Sequence, residues 1–208
     1  MISNIIDHVV AGNMRTSSLP SAAVDAAGRV YVAWQDCRFR TNCASNDIVM
    51  STSSDGSNWS APVAIPIDAA SSTVDHFIPA LAVDATTSGG SAHLALTYYF
   101  YPQSACTVQS CQLEVGTVAS SDGGNTWSAP TTLAGAMQLA WLPNTSSGLM
   151  VGDYAAAAFA NGHAYGVFAV AQANSGGTFS EAIFVTTSPL PQTKDELPAV
   201  VRAEAVVT

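Results

Sequence analysis

Ser53-Ser54-Asp55-Gly56-Ser57-Asn58-Trp59-Ser60-Ala61-Pro62 recurs, one residue longer, as Ser120-Ser121-Asp122-Gly123-Gly124-Asn125-Thr126-Trp127-Ser128-Ala129-Pro130. Repetition of a whole phrase at such a spacing marks an array of similar units. Each residue type in it has a use in a tight hairpin. Ser and Asp side chains accept from nearby backbone N–H groups, Gly supplies a positive φ, and Trp is large enough to cover the turn from one side.

Reading backwards from each copy gives the same order of pieces. Leu19-Pro20-Ser21-Ala22-Ala23-Val24-Asp25 corresponds to Ile78-Pro79-Ala80-Leu81-Ala82-Val83-Asp84, and both lead into a Gly turn. Apolar strands at 29–35 and 92–99 follow, then a polar loop with two cysteines, then strands at 47–52 and 112–119 that run into the repeated phrase. A short strand begins at Pro62 or Pro130, making four strands per unit. A third, drifted copy starts at Tyr154, turns at Asn161-Gly162 and continues through 163–170 and 181–187. In place of the phrase it keeps only Asn174-Ser175-Gly176-Gly177-Thr178-Phe179, and its Ala-rich first strand suits an innermost position at a crowded axis. Helical periodicity is absent almost everywhere. Tandem four-stranded units make a β-propeller, with about 4 to 8 blades around a central channel.

The second copy, with Ser120, Asp122, Gly124, Thr126 and Trp127 at their spacing, resembles the Asp-box of the sialidase-like, or BNR-repeat, β-propellers; the first resembles it with one residue fewer before Trp59. The resemblance implies an all-β, sialidase-like propeller of which this chain supplies three blades. The divisions are an N-terminal strand completing a blade (1–14, with the strand at 4–10), a first blade (15–68), a second (69–135), a degenerate third (136–190), and a linker with a C-terminal strand (191–208, the strand at 198–207). The family's ring has six blades, so half a ring is expected to be closed by a homodimer or a partner half. In that family the Asp-boxes sit on the rim away from the pocket, which makes Ser53, Asp55, Trp59, Ser120, Asp122, Gly124 and Trp127 structural.

The loops that face a ligand in such a propeller join blade to blade and second strand to third. Here they hold Arg15, Asp36, Arg38 and Arg40, then Asp75, His76, Tyr99 and Tyr101, then Gly152, Asp153 and Tyr154. The resemblance makes Arg15, Arg38, Asp75, His76 and Asp153 candidate ligand-binding residues. Asp36 is the candidate acid/base, and Tyr99 or Tyr154 the candidate nucleophile. The competing reading makes Asp36 and Asp153 turn or capping residues and the tyrosines half-buried packing. Sialidase chemistry clamps a carboxylate with arginines from several blades and cleaves with paired acid and nucleophile groups. This chain departs from that pattern, since Arg15, Arg38 and Arg40 all belong to one unit. Glu114 and Glu181 fall in alternating strands, where a solvated outer face is expected.

Composition narrows the partners. The 208 residues carry a formal charge of −9, with no Lys or Arg between Arg40 and Lys194. Phosphate backbones and anionic membranes are therefore repelled, and nucleic acid is excluded as a partner. No apolar run approaches the roughly 20 residues of a membrane span. Met1-Ile2-Ser3-Asn4 does not open a signal peptide, so the expectation is a leader already removed or a start inside a longer protein. Cys37 with Cys43 and Cys106 with Cys111 form two short-range pairs in polar loops, which suits local disulfides and a secreted or cell-surface protein. Zinc would want closer cysteine spacing with His nearby. The four histidines are scattered, no segment has the oxygen density calcium needs, and no metal or cofactor is expected.

Two functions stand at this point, beside a purely structural propeller with no ligand. One is an extracellular carbohydrate-recognition or scaffolding module that binds a neutral glycan through aromatic faces and Asp and Asn hydrogen bonds. The other is an exo-glycosidase of the sialidase class whose catalytic set is completed by another half or a partner chain.

Overall fold

The computed structural model describes residues 1–103 and 105–192, and the backbone of Ala203–Ala205. Three antiparallel four-stranded sheets follow one another along the chain, each with its strands in sequence order. The first holds β1 (Ser21–Val24), β2 (Val30–Asp36), β3 (Asp47–Ser53) and β4 (Val63–Ala64). The second holds β5 (His76–Val83), β6 (Leu94–Phe100), β7 (Gln112–Ser120) and β8 (Thr131–Gln138). A two-residue hairpin, β9 (Asn144–Thr145) with β10 (Gly148–Leu149), precedes the third sheet of β11 (Ala156–Ala160), β12 (His163–Ser175), β13 (Thr178–Thr186) and β14 (Ala203–Ala205). Helix among the described residues is confined to three-residue 3₁₀ turns. The β-branched and aromatic runs of β2, β3, β6 and β7 explain why these segments choose strand.

The second sheet lies between the other two. Tyr31, Ile48 and Met50 of the first sheet pack with Leu81, Leu96, Tyr98 and Val118. On the far side Phe77, Tyr99, Leu113 and Val115 pack with Phe168, Ala169 and Leu190. Every residue of β5 is buried, as expected of a strand with a core layer on each face. The first strands β1, β5 and β11 are neighbours, and Ser21 Oγ accepts from Leu81 N at 2.9 Å. This is a propeller-like arrangement, with first strands inside and fourth strands outside.

The repeated phrase folds as its chemistry requires. In the second copy Ser120 Oγ accepts from Asp122 N (3.3 Å) and Gly124 N (2.9 Å), while Asp122 Oδ1 accepts from Thr126 N (2.8 Å). Thr126 Oγ1 donates to Asp122 Oδ2 at 2.6 Å, and Trp127 Nε1 closes the turn on Gly124 O at 3.1 Å. Gly123 and Gly124 take φ of 73° and 88°, the region that favours glycine. The first copy repeats this with Ser53 Oγ accepting from Gly56 N (2.9 Å) and Asp55 Oδ1 from Ser57 N and Asn58 N (2.8 and 2.7 Å). The backbone and side-chain donors of Asn58, with Ser57 N, hold the Asp55 carboxyl well below the usual range.

Cys37 is bonded to Cys43 in the loop from β2 to β3, and Cys106 to Cys111 in the loop from β6 to β7, the pairing expected. Other expectations need correction. Residues 4–10 form no strand. Their polar groups go to the first sheet's loop instead: Ile6 O accepts from Cys37 N (2.7 Å), and the Asn46 side chain bonds His8 N and O (2.9 and 2.8 Å). Ile2 packs on Val32, Trp34 and Val49, so this arm covers the outer face of the first sheet. Among the described residues nothing covers the outer face of the third sheet: Ala156, Ala158 and Ala160 of β11 are exposed, as is Ile183. The first strand there is thus crowded on one face only. Of the C-terminal strand expected at 198–207, Ala203–Ala205 pairs with β13; the remainder, with most of the linker, lies outside the described residues.

Asp122→Ala removes an acceptor from a turn whose donors water reaches in part. The expected loss is about 1 kcal/mol, read as a lower Tm in a fold that is otherwise retained. An unchanged Tm would show that the turn does not depend on the carboxylate.

Candidate functional site at the mouth of the inner strands

The beginnings of the three inner strands converge. Leu19, Pro20 and Ser21, then Ile78 and Pro79, then Asp153, Tyr154 and Ala155 wall a cavity of about 60 Å³. Pro79 is brought here by a break in register between Phe77 and Ala80, where Ile78 takes a φ of 49°. A β-branched residue is costly in that region and needs support. Buried Gln35 provides it, accepting from Ile78 N (3.3 Å) while its amide donates to Asp7 Oδ1 (2.9 Å) and Thr16 O (2.8 Å).

Arg15 meets Asp153 through two contacts, Nε to Oδ1 at 3.1 Å and Nη2 to Oδ2 at 3.2 Å, a bidentate pair. The Arg15 backbone is fixed by its N–H to Leu149 O at 2.8 Å, next to the Met14–Leu149 bridge. Both side chains are about one third exposed, at 35% and 34%. Tyr154 beside them is 74% exposed. Its ring also borders a second cavity of about 250 Å³, walled by Met150, Glu181 and Ile183 among others. Burial lifts the Glu181 carboxyl above its ordinary value. Glu181 is exposed on the same face as Ile183, the outer face that alternation gives it; its proximity to Tyr154 has no local signal in the sequence.

The other candidates are not brought here as reachable groups. Asp36 is fully buried, accepting from Trp34 Nε1 (3.1 Å), Arg38 Nε (2.9 Å) and Arg38 Nη2 (2.7 Å). Burial pushes its carboxyl up, but the Arg38 bonds outweigh that and hold it below the usual range. Asp36, the expected acid/base, is thus a buried carboxylate that holds Arg38, whose guanidinium also donates to Asn4 O. Tyr99, an expected nucleophile, is 1% exposed, and its hydroxyl donates to Ala169 O (2.9 Å) and accepts from Ala169 N (3.0 Å). Burial raises its phenol. Tyr101 is a core residue bonded to Ala11 O (3.0 Å). Asp75 is a buried tie, accepting from Asn46 N (2.8 Å) and paired with His8 Nδ1 (3.0 Å); burial lifts its carboxyl despite both.

His76 belongs to a separate buried cluster. Arg40, 4% exposed, reaches Asp47 and Asp68 with Nη2 and donates from Nη1 to Ala69 O (2.6 Å) and Ser72 O (3.2 Å). His76 Nε2 is 4.0 Å from Asp68. Burial pushes the His76 imidazole down to about 4 and the Asp47 carboxyl up to about 6, in the latter case against the pull of Arg40. Arg40 stands among the loop residues named from the sequence, whereas Asp68, in the connection from the first sheet to the second, does not; no local pattern in the sequence pairs the two.

No protein-family model matches the chain, and no curated protein matches it. Solved structures do. The chain is similar to a xylan β-1,4-xylosidase from Bacillus halodurans C-125 at 14% identity and a TM-score of 0.52, over 99% of this chain and 34% of that one. It is also similar to a protein of unknown function from Dyadobacter fermentans DSM 18053 (14%, TM-score 0.47, 88% of this chain and 54% of that one) and to a PL25 ulvan lyase (12%, 0.41, 80% and 40%). The chain spans about a third of the length of the xylosidase, and that likeness is one of fold: all-β and propeller-like.

The buried cluster makes a pH prediction. Unfolded His76 takes its proton near 6.5 and folded His76 only near 4, so acidification across that interval costs stability. Asp47 acts in the opposite sense, binding its proton near 6 when folded and 3.8 when unfolded. Asp47→Asn removes the compensating gain. Urea unfolding at a series of pH values should then show a steeper loss of stability from pH 6.5 to 4 than in the parent; equal slopes would refute the assignment.

Proposed function

We propose that this chain is a sialidase-like propeller module, its two hairpin turns being Asp-boxes, that recognises a neutral glycan outside the cell. The observation that carries this reading is the exposed Tyr154 ring beside the partly exposed Arg15–Asp153 pair at the mouth of the inner strands. A flat aromatic face takes the C–H face of a sugar, and fixed polar groups at its edge set orientation through hydroxyl hydrogen bonds. Arg15 is already neutralised by Asp153, and an acidic sugar would meet that carboxylate as well, so an uncharged ring fits better. The two disulfides fit an oxidising compartment. Closure is part of the reading: the open outer face of the third sheet is met by a second copy or a partner half.

A second reading, an exo-glycosidase, is favoured by one arrangement. Tyr154 stands between a cavity walled by Asp153 and another walled by Glu181, and glycoside cleavage uses two such groups about one bond. The remaining groups would come from the other half or the partner.

Calorimetric titration with methyl β-xyloside, methyl galactoside and sialyllactose tests the proposal, xylosides being included because of the xylosidase likeness. Weak binding of a neutral glycoside is expected, reduced about tenfold in Tyr154→Ala with Tm unchanged, the scale of one lost ring contact of about 1.4 kcal/mol. Light scattering of the same sample should give twice the 21.4 kDa chain mass if the partner is a second copy. Absence of binding to every neutral glycoside would sink recognition. Hydrolysis of an aryl glycoside that disappears in Asp153→Asn and Glu181→Gln would establish the second reading instead.

A further inference from the structure

The mouth of the inner strands leaves the second cavity beside Tyr154, of about 250 Å³, without a use. Its walls are Met150, Val151 and Tyr154 from the loop before β11, Ala169 of β12, and Glu181 and Ile183 of β13. The loop lies directly on the sheet here: a Cβ on Gly152 would come within 3.9 Å of the Ala169 methyl, which is itself buried. Both groups with chemistry to offer are reachable, since Tyr154 and Glu181 are exposed.

Charge decides what the cavity takes. Glu181 makes no hydrogen bond or ion pair among the described residues, and partial burial, with no cation opposing it, lifts its carboxyl. Arg15 reaches the cavity wall only through Nη1, 3.6 Å from Met150 Sδ, and its own charge is matched bidentately by Asp153. An anion would therefore meet Glu181 unopposed. A purely apolar ligand would strip water from the carboxylate and put nothing in its place. A metal ion would find a single carboxylate where several oxygen ligands are needed. A compact organic cation suits every wall. Its ammonium donates to the Glu181 carboxylate, its charge lies against the open Tyr154 ring, and its carbons rest on Met150, Val151 and Ile183. The formal charge of −9 draws such a cation towards the protein.

We infer that this cavity is a binding site for an alkylammonium group, carried either by a free amine or by an amino sugar whose ring continues onto the mouth. Its volume lies below the roughly 300 Å³ at which small-molecule sites begin, which admits one ammonium with a few carbons. The inference stands on Glu181 and the loop wall, and shares only Tyr154 with the glycan reading above.

The test is an NMR titration of the ¹³C,¹⁵N-labelled protein at neutral pH with propylammonium chloride, methyl glucosaminide and methyl glucoside. Propylammonium should shift the amides of Val151, Gly152 and Ile183 and the side-chain carboxyl carbon of Glu181. It should also move the titration midpoint of that carbon to lower pH, because a bound cation favours the ionised carboxylate, and binding should fade as pH falls through the midpoint. Glu181→Gln, at an exposed position, should abolish these shifts, and Tyr154→Ala should weaken them about threefold. The Glu181 midpoint in the parent protein carries the test should a variant fail to fold. Methyl glucosaminide that shifts cavity and mouth together and binds more tightly than propylammonium supports the site with an amino sugar as its source; propylammonium binding at least as tightly supports it with a free amine. Cavity shifts with neither amine, or shifts that survive Glu181→Gln, would overturn the inference, and so would methyl glucoside entering the cavity as well as its amino counterpart. Mouth shifts with methyl glucoside and none in the cavity would overturn this inference alone, whereas cavity shifts with propylammonium and none with either glycoside would uphold it and overturn the glycan reading.

Discussion

The second sheet can exist only between the other two. Its strands present apolar or aromatic side chains alternately to both faces, so Tyr98 points into the layer shared with the first sheet while Tyr99 points into the layer shared with the third. Neither face could meet water without exposing a core layer. Sandwiching fixes β5 against β1 on one side and β11 on the other, and this brings three strand beginnings together at one mouth.

Much of this was legible in the sequence. A repeated turn with Ser, Asp, Gly and Trp at fixed offsets is a local device, and its hydrogen bonds close within a few residues. Cysteine pairs within one loop are equally local. The first-strand correspondence of residues 19–25 with 78–84 carried over to β1 and β5, with the start of each strand at the mouth.

The site was less legible, for a reason particular to these residues. In a strand buried on one face, alternation separates a packing tyrosine from a reachable one. In β6 both faces are buried, so period gave no way to tell that Tyr99 is sealed. Asp36 has the type and position of a catalytic acid, but Arg38 two residues on and Trp34 two residues back consume it. Residues 4–10 read as strand because they are apolar and extended, yet their hydrogen bonds go to Asn46 and the Asp36 loop, which no local pattern announces. Tyr154 stays exposed because the face beyond it has no neighbouring sheet among the described residues.

We propose a division of labour: buried charged groups hold the fold, and the Arg15–Asp153 pair with Tyr154 meets the ligand. Measuring Tm and neutral-glycoside Kd together for Asp36→Asn and Asp153→Asn tests it most directly. The account predicts that Asp36→Asn lowers Tm and leaves Kd unchanged while folded, whereas Asp153→Asn weakens binding and leaves Tm close to that of the parent. The reverse, with Asp36→Asn abolishing binding at unchanged Tm and Asp153→Asn affecting only stability, would contradict it.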